Sequence, residues 1–179
     1  MAESFSNSLT RAAGLVVNKT GATVPAGSTT FTVTANTGIY VGQLINNQHF
    51  IAGTKVSNVA GTTITADRAS TNTASAGSQI IDFLGVTTAF TASATEKSIL
   101  IGGTFANNTN NRVELTVELF DNSTSVGVAI ASKIPVPAGS SFVISDVGKT
   151  ILEANDQIRI YCDTESAIDA SLSILTGVS

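Results

Sequence analysis

The chain of 179 residues is long enough for one or two small domains, and a hydrophobic share of 42% is enough for a packed core. Charged residues make up only 12%, whereas soluble domains commonly carry about a quarter. There are 9 Lys and Arg against 13 Asp and Glu, and no basic run, which argues against a nucleic-acid-binding surface. Since charge keeps protein surfaces apart, the deficit indicates that much of the outer surface is either polar without charge or covered by neighbouring subunits.

No membrane or secretory feature is found in the sequence. The first residues lack the apolar core of a signal peptide, and no stretch approaches the roughly 20 apolar residues of a membrane span. We therefore expect a chain made and folded in the cytoplasm, with no membrane partner. The only cysteine, Cys162, cannot form an intrachain disulfide and is predicted to be buried on a strand.

Residues 1–13 mix small polar residues with Phe5, Leu9 and Arg11, which is too sparse a pattern to predict a self-sufficient element. One interpretation is a frayed terminus. The other is an N-terminal arm that lies on a neighbouring subunit and is anchored by Phe5 and Leu9, because such side chains are unusual in a disordered tail.

Residues 14–84 predict a small β-domain. Thr and Val dominate short runs that are separated by turn residues, and branching at Cβ favours pleated backbone. No helical period extends over a useful length. The strand candidates are residues 15–17, 29–33, 43–45, 54–59, 63–65 and 79–81. Such short strands with regular turns indicate a small barrel or roll.

Residues 85–179 predict an antiparallel β-sandwich of the jelly-roll kind, because about eight short strands follow at near-regular spacing. The strand candidates are residues 98–101, 104–105, 112–120, 126–133, 141–145, 150–152, 157–162 and 168–175. Pro135 and Pro137 remove two backbone donors within three residues, so this stretch is predicted at a sheet edge or in a connection. The chain as a whole is thus predicted to be all-β.

The strand at residues 112–120 has the clearest pattern, a strict alternation of apolar and polar residues. One face would bury Val113, Leu115, Val117 and Leu119. The other face carries three charged residues, which we expect to face water or a neighbouring subunit. Those candidate interface residues are Arg112, Glu114 and Glu118.

No arrangement of residues predicts catalysis, so we expect a protein that is not an enzyme and has no cofactor. His49 is the only histidine, and no Gly-x-Ser-x-Gly or similar nucleophile motif accompanies it. A hydrogen-bonded loop or interface histidine is the simpler interpretation. Gly102 and Gly103 lack the continuation of a phosphate-binding loop and favour a β-bulge or a close approach of strands.

Several carboxylates fall in or beside predicted loops. Loops at one end of a sandwich could bring such groups around Ca²⁺, but the spacing of a calcium-binding loop is missing, and turn residues that bond backbone explain them more simply. We therefore predict no metal site. The carboxylates are Asp121, Asp146, Asp156, Asp163, Glu165 and Asp169.

Two stretches resemble virion proteins of tailed bacteriophages. Gly38-Ile39-Tyr40-Val41-Gly42, followed by Gly53-Thr54-Lys55-Val56 and a Thr-rich strand, resembles a small β-module of those particles. Residues 98–107, 112–120, 133–141, 148–152 and 155–158 are similar to a β-sandwich domain common among phage structural proteins. The motifs in both stretches are structural, so the resemblance carries over no catalytic residue.

The resemblance implies a structural subunit of a tailed phage, for example of a marine phage or a cyanophage. Such a subunit would self-associate and dock on other virion proteins of the capsid, the neck or the tail, and its position among them stays open. We expect Phe5, Leu9 and Arg11 in contacts between subunits, beside Arg112, Glu114 and Glu118. The alternative is a glycan-binding module of a phage fibre or tail, which predicts aromatic rings at loop tips. A polysaccharide hydrolase would need two carboxylates across a cleft.

Overall fold

The structure is a computed structural model that describes residues 3–178, without the side chains of residues 146–149. The described residues contain no helix and are 62% strand, so the predicted all-β class is confirmed. The fourteen strands are β1 (Ser4–Ala13), β2 (Leu15–Val24), β3 (Thr30–Thr32), β4 (Leu44–Asn46), β5 (Val56–Ala60), β6 (Thr63–Ala66), β7 (Ala76–Gly85), β8 (Thr87–Thr91), β9 (Lys97–Asn107), β10 (Val113–Asp121), β11 (Val126–Val136), β12 (Ser141–Leu152), β13 (Gln157–Cys162) and β14 (Ile168–Val178).

The chain divides into two units. The six-stranded unit comprises residues 15–86, and the two-sheet unit comprises residues 1–14 together with residues 87–179. The N-terminal segment was predicted as an arm separate from both domains. Its described part instead forms β1, which pairs with β14 near the other end of the chain.

The six-stranded unit is one antiparallel sheet in the order β4-β7-β2-β3-β6-β5. Its core contains Phe31, Phe50 and Phe83, with the rings of Phe31 and Phe50 centred 5.2 Å apart. Within residues 15–86, all of which are described, the sheet does not close into a barrel, so the barrel named in the prediction of a barrel or roll is not confirmed. An isolated bridge joins Leu44 to Lys55, and the amide of Ile45 donates to the carbonyl oxygen of Thr54 beside it.

The two-sheet unit has two antiparallel sheets of four strands each. Their orders are β1-β14-β9-β12 and β11-β10-β13-β8. Both sheets contribute to one hydrophobic core, in which Phe105 and Leu172 of the first sheet join Leu115 and Ile160 of the second. Burial of each such side chain contributes about 1.5–3 kcal/mol, so this shared core is what holds the two sheets together.

Two irregularities predicted from the sequence are confirmed. The register between β9 and β14 shifts beside Gly102, which is a bulge, and a Cβ on Gly103 would collide with Leu172. Because β9 continues through both glycines, it is one strand where the sequence predicted two. The Pro135 stretch lies in β11, which is an end strand of its sheet.

The strand β1 is an end strand of the first sheet. Residues Ser4–Thr10 pair with β14 in unbroken register, and the irregularity begins after Thr10. The strand ends before Gly14, whose φ of +126° favours glycine and where a Cβ would collide with the carbonyl oxygen of Thr164.

Candidate interaction surface

The β1 strand presents its apolar side chains outward. Phe5 is 76% exposed and Leu9 is 75% exposed. The alternate side chains point toward the other sheet, since the hydroxyl of Ser8 donates to the carbonyl oxygen of Ala89 in β8 at 2.7 Å. The predicted anchors Phe5 and Leu9 therefore lie on an accessible face, but on a strand that the chain itself holds in place.

The predicted interface residue Arg11 follows the regular part of β1 and is exposed. The next backbone amide, that of Ala12, donates to Asp169 Oδ1 at 2.8 Å, and Ala12 has a φ of +55°. This hydrogen bond holds the backbone where the register shifts. Arg11 and Leu9 border one shallow groove, whose opposite side includes Thr104 and Ser171.

The outer face of β10 differs from the prediction at Glu118, which is only 3% exposed. The hydroxyl of Tyr161 donates to Glu118 Oε1 at 3.3 Å, and Arg159 Nη1 lies 3.9 Å from the same oxygen. The carboxyl group covers Gly127, where any side chain would displace it. The assignment of Glu118 to a subunit interface is therefore wrong, because its neighbours on β11 and β13 bury it.

Tyr161, which bonds Glu118, is also buried. Burial and the nearby Glu118 carboxylate raise the pKa of the Tyr161 hydroxyl, so it remains protonated and serves as a hydrogen-bond donor. Arg159 lies over the ring of Phe120, 3.3 Å from the ring centre. Glu118, Arg159, Phe120 and Tyr161 thus form a structural polar cluster on the outer face of the second sheet.

The other two charged residues of this stretch remain accessible. Arg112 Nη2 lies 2.9 Å from Glu114 Oε1, and Lys133 Nζ lies 3.9 Å from Glu114 Oε2. Exposed pairs of this kind contribute little to stability. The inner face agrees with the prediction, since Val113, Leu115 and Val117 are fully buried.

The structure does not bring the six predicted interface residues together. Phe5, Leu9 and Arg11 belong to the edge of one sheet, and Arg112 and Glu114 belong to the other sheet. Sequence analysis also missed several exposed aliphatic side chains on strands, because a pattern alone does not say which apolar residue of a strand faces outward. In the two-sheet unit they include Val126, Val128 and Ile130 on β11 and Val143 and Ile151 on β12.

The backbone of His49 is hydrogen-bonded to its neighbours, and the side chain of Cys162 is buried. The carbonyl oxygen of His49 accepts a hydrogen bond from the amide of Thr71 at 2.7 Å, and its amide donates to Asn47 Oδ1. Cys162 is fully buried, as predicted. Burial, together with the neighbouring Asp163, raises the pKa of the Cys162 thiol to about 12, so the thiolate that reacts is scarce at neutral pH.

The loop carboxylates bond backbone amides. Asp156 accepts from the amides of Asn122 and Glu153, and Asp163 accepts from the amide of Glu114. Among the described side chains no three His, Cys, Asp or Glu residues gather as a metal site would require. Asp146 lies outside the described side chains. These contacts indicate that the carboxylates fasten loops to their neighbours.

Nothing in the described part of the chain is a helix long and apolar enough to cross a membrane. Comparison with protein-family models, with curated proteins and with solved structures found no match.

Proposed function

We propose that the chain is a non-enzymatic structural subunit of a tailed-phage virion, which self-associates and docks on the capsid, the neck or the tail. The observation that carries self-association is the exposed apolar face of β1, where Phe5 and Leu9 are about three-quarters exposed on a strand with a free edge. Exposed apolar side chains on an unpaired edge are normally avoided in monomers. A partner that covers them accounts for their presence.

The strand order of the two-sheet unit supports a virion role. When its eight strands are numbered within the unit, one sheet has the order 1-8-3-6 and the other 2-7-4-5. We interpret this order as a jelly roll, an architecture used by viral capsid domains, lectins and cupins. Fold alone does not define function, so the jelly-roll order adds to the sequence resemblance without replacing it.

The scarcity of charge supports the same proposal. A subunit that is repeated in a ring or shell uses one surface patch many times, and a weak contact per copy suffices for a stable assembly. The exposed aliphatic residues of β11 and β12 provide further uncharged surface for docking.

The glycan-binding alternative receives less support. Sugar-binding loops need exposed rings. Tyr161 is 1% exposed, and Tyr40, the other tyrosine, is 44% exposed in the six-stranded unit. Glycan binding is therefore the less supported alternative, and the experiment below tests it.

The proposal is tested by following an epitope-tagged chain through purification of the phage particles. We expect the chain to co-purify with intact particles in a fixed number of copies and to separate with heads or with tails after the two are dissociated. A chain that stays in the lysate would contradict the proposal. Saturable binding to host-envelope glycans with no incorporation would favour the alternative.

A further inference from the structure

We infer that β1 pairs edge to edge with β1 of a second copy, in an antiparallel two-fold arrangement centred on Asn7. The inference specifies the self-association of the proposed function and rests on it. It makes one continuous sheet across the two copies, in which Phe5 lies opposite Leu9 and Glu3 lies opposite Arg11.

Of the four end strands in the two-sheet unit, β1 is the one suited to pairing. β11 carries Pro135 and Lys133 and two register shifts, which are devices that block an edge, and β8 has only five residues. The register of β12 shifts between Ser145 and Thr150. β1 has neither proline nor lysine, and its one register shift comes after Thr10, which leaves an unbroken run over Ser4–Thr10.

The outer face of β1 complements itself when one copy is turned by a two-fold axis. The alternate residues Glu3, Phe5, Asn7, Leu9 and Arg11 are all exposed. With Asn7 opposite Asn7, both apolar side chains meet each other and both end charges meet an opposite charge. Opposed pairs of this kind stabilise an antiparallel ladder, whereas like charges destabilise it.

The charges at the two ends are available for this pairing. Among the described side chains neither Glu3 nor Arg11 has an oppositely charged partner within 4.0 Å. The opposite face fits as well, because Ser4 would lie opposite Thr10, and Ser6 opposite Ser8. These side chains are small, and Ser8 already donates to Ala89.

Other arrangements of the same strand are less favourable. Parallel pairing in register would oppose Glu3 to Glu3 and Arg11 to Arg11. An antiparallel shift by two residues would place Phe5 opposite Asn7 and Leu9 opposite Glu3. The centred register is the one that satisfies the apolar and the charged residues together, and two-fold pairing of one patch is the commonest symmetry of soluble oligomers.

Cysteine cross-linking tests the register. Residues opposite each other in an antiparallel pair have Cα atoms about 4.5–5.5 Å apart, within disulfide range. Asn7→Cys lies on the axis and should give a covalent dimer on a non-reducing gel under a mild oxidant. Leu9→Cys alone faces Phe5 and should stay at background, while Phe5→Cys combined with Leu9→Cys should cross-link. Cys162 is fully buried and should not contribute.

Charge reversal gives an independent readout. Glu3→Arg or Arg11→Glu alone should raise the dimer Kd by about tenfold in sedimentation equilibrium, because both end pairs become repulsive. The double variant restores the pairs and should return within about threefold of the native Kd. Deletion of β1 is a poorer test, since it would also remove the contacts with β14 and Ala89.

The inference is overturned if the chain stays monomeric, if Leu9→Cys cross-links as well as Asn7→Cys, or if the double charge variant fails to recover dimerisation. A dimer that forms through β1 but is missing from particles would contradict the proposed function and support this inference. Incorporation into particles by a chain that does not pair through β1 would support the proposed function and contradict this inference.

Discussion

Glu118 shows how far the alternation of a strand predicts the environment of a residue. The sequence correctly assigned Val113, Leu115 and Val117 to the inside and Glu118 to the other face. It could not predict that Glu118 would be buried on that face, because Tyr161 lies 43 residues away in the sequence and packs against it only in the folded sheet. The pattern of a strand predicts on which face a side chain lies, whereas neighbours in the folded chain determine how deeply that side chain is buried.

Replacing Glu118 by alanine should therefore destabilise the two-sheet unit. The variant removes the carboxylate from a buried cluster that includes Arg159 and the hydroxyl of Tyr161, and we expect a loss of about 2–4 kcal/mol in urea denaturation. Glu114→Ala is the matched control. Its exposed pairs should cost less than about 1 kcal/mol, and equal losses for the two variants would contradict the structure.

Asp121 should show a pH-dependent contribution. Hydrogen bonds from the Ser123 and Thr124 side chains lower the pKa of this exposed carboxyl from 3.8 to about 2. A lowered pKa in the folded state means that the ionised group stabilises the fold at neutral pH, and that this stabilisation is lost as pH falls through about 2.

The Tm of Asp121→Ala should thus lie below that of the native chain at pH 7. The gap should narrow as pH falls below about 4, where the carboxyl group of the unfolded chain takes up a proton, and the narrowing should end near pH 2, where the folded chain takes up its own. Thermal denaturation at several pH values measures this gap. A gap that stays constant with pH would show that the ionised carboxylate is not what stabilises the turn.

At the scale of elements, most strands could be predicted from the sequence because Thr and Val runs alternate with turn residues. Two strands were missed, β1 and β8, and β1 has an inverted pattern. Small hydroxyl residues such as Ser8 face the other sheet, and Phe5 and Leu9 face outward, so no apolar inner face is visible. Its pairing with β14, more than 160 residues away, also leaves no local signal.

Asp156 joins two loops of the two-sheet unit. One carboxylate oxygen accepts from the amide of Asn122 at 3.0 Å, and the other accepts from the amide of Glu153 at 2.9 Å. Asp156 is itself buried, so water replaces it poorly. The β10–β11 connection and the β12–β13 connection are thereby held together.

Asp156→Ala should cost about 2 kcal/mol of unfolding free energy, because two backbone donors lose a charged acceptor. Hydrogen exchange should also accelerate at the amides of Asn122 and Glu153. Glu165→Ala, at an exposed position, should stay within about 0.5 kcal/mol of the native chain. Unchanged hydrogen-exchange protection of both amides in Asp156→Ala would show that Asp156 does not hold the two loops together.

At the scale of the whole molecule, low charge and outward apolar residues are consistent with one explanation, a surface that is completed by other subunits. The sequence predicted that the chain self-associates and named Phe5, Leu9 and Arg11, whereas the free edge of β1 on which the proposed two-fold pairing rests became visible only with the sheet order. Glu118 was assigned to the interface as a charged residue on the outer face of its strand, and its burial removes it.

The central claim, a self-associating subunit of a phage particle, is tested most directly by cryo-electron microscopy of intact particles. The account predicts density that fits the two-sheet unit at symmetry-related positions on the capsid, the neck or the tail, in copies that contact each other. A map at sufficient resolution in which this chain occupies no position would contradict it.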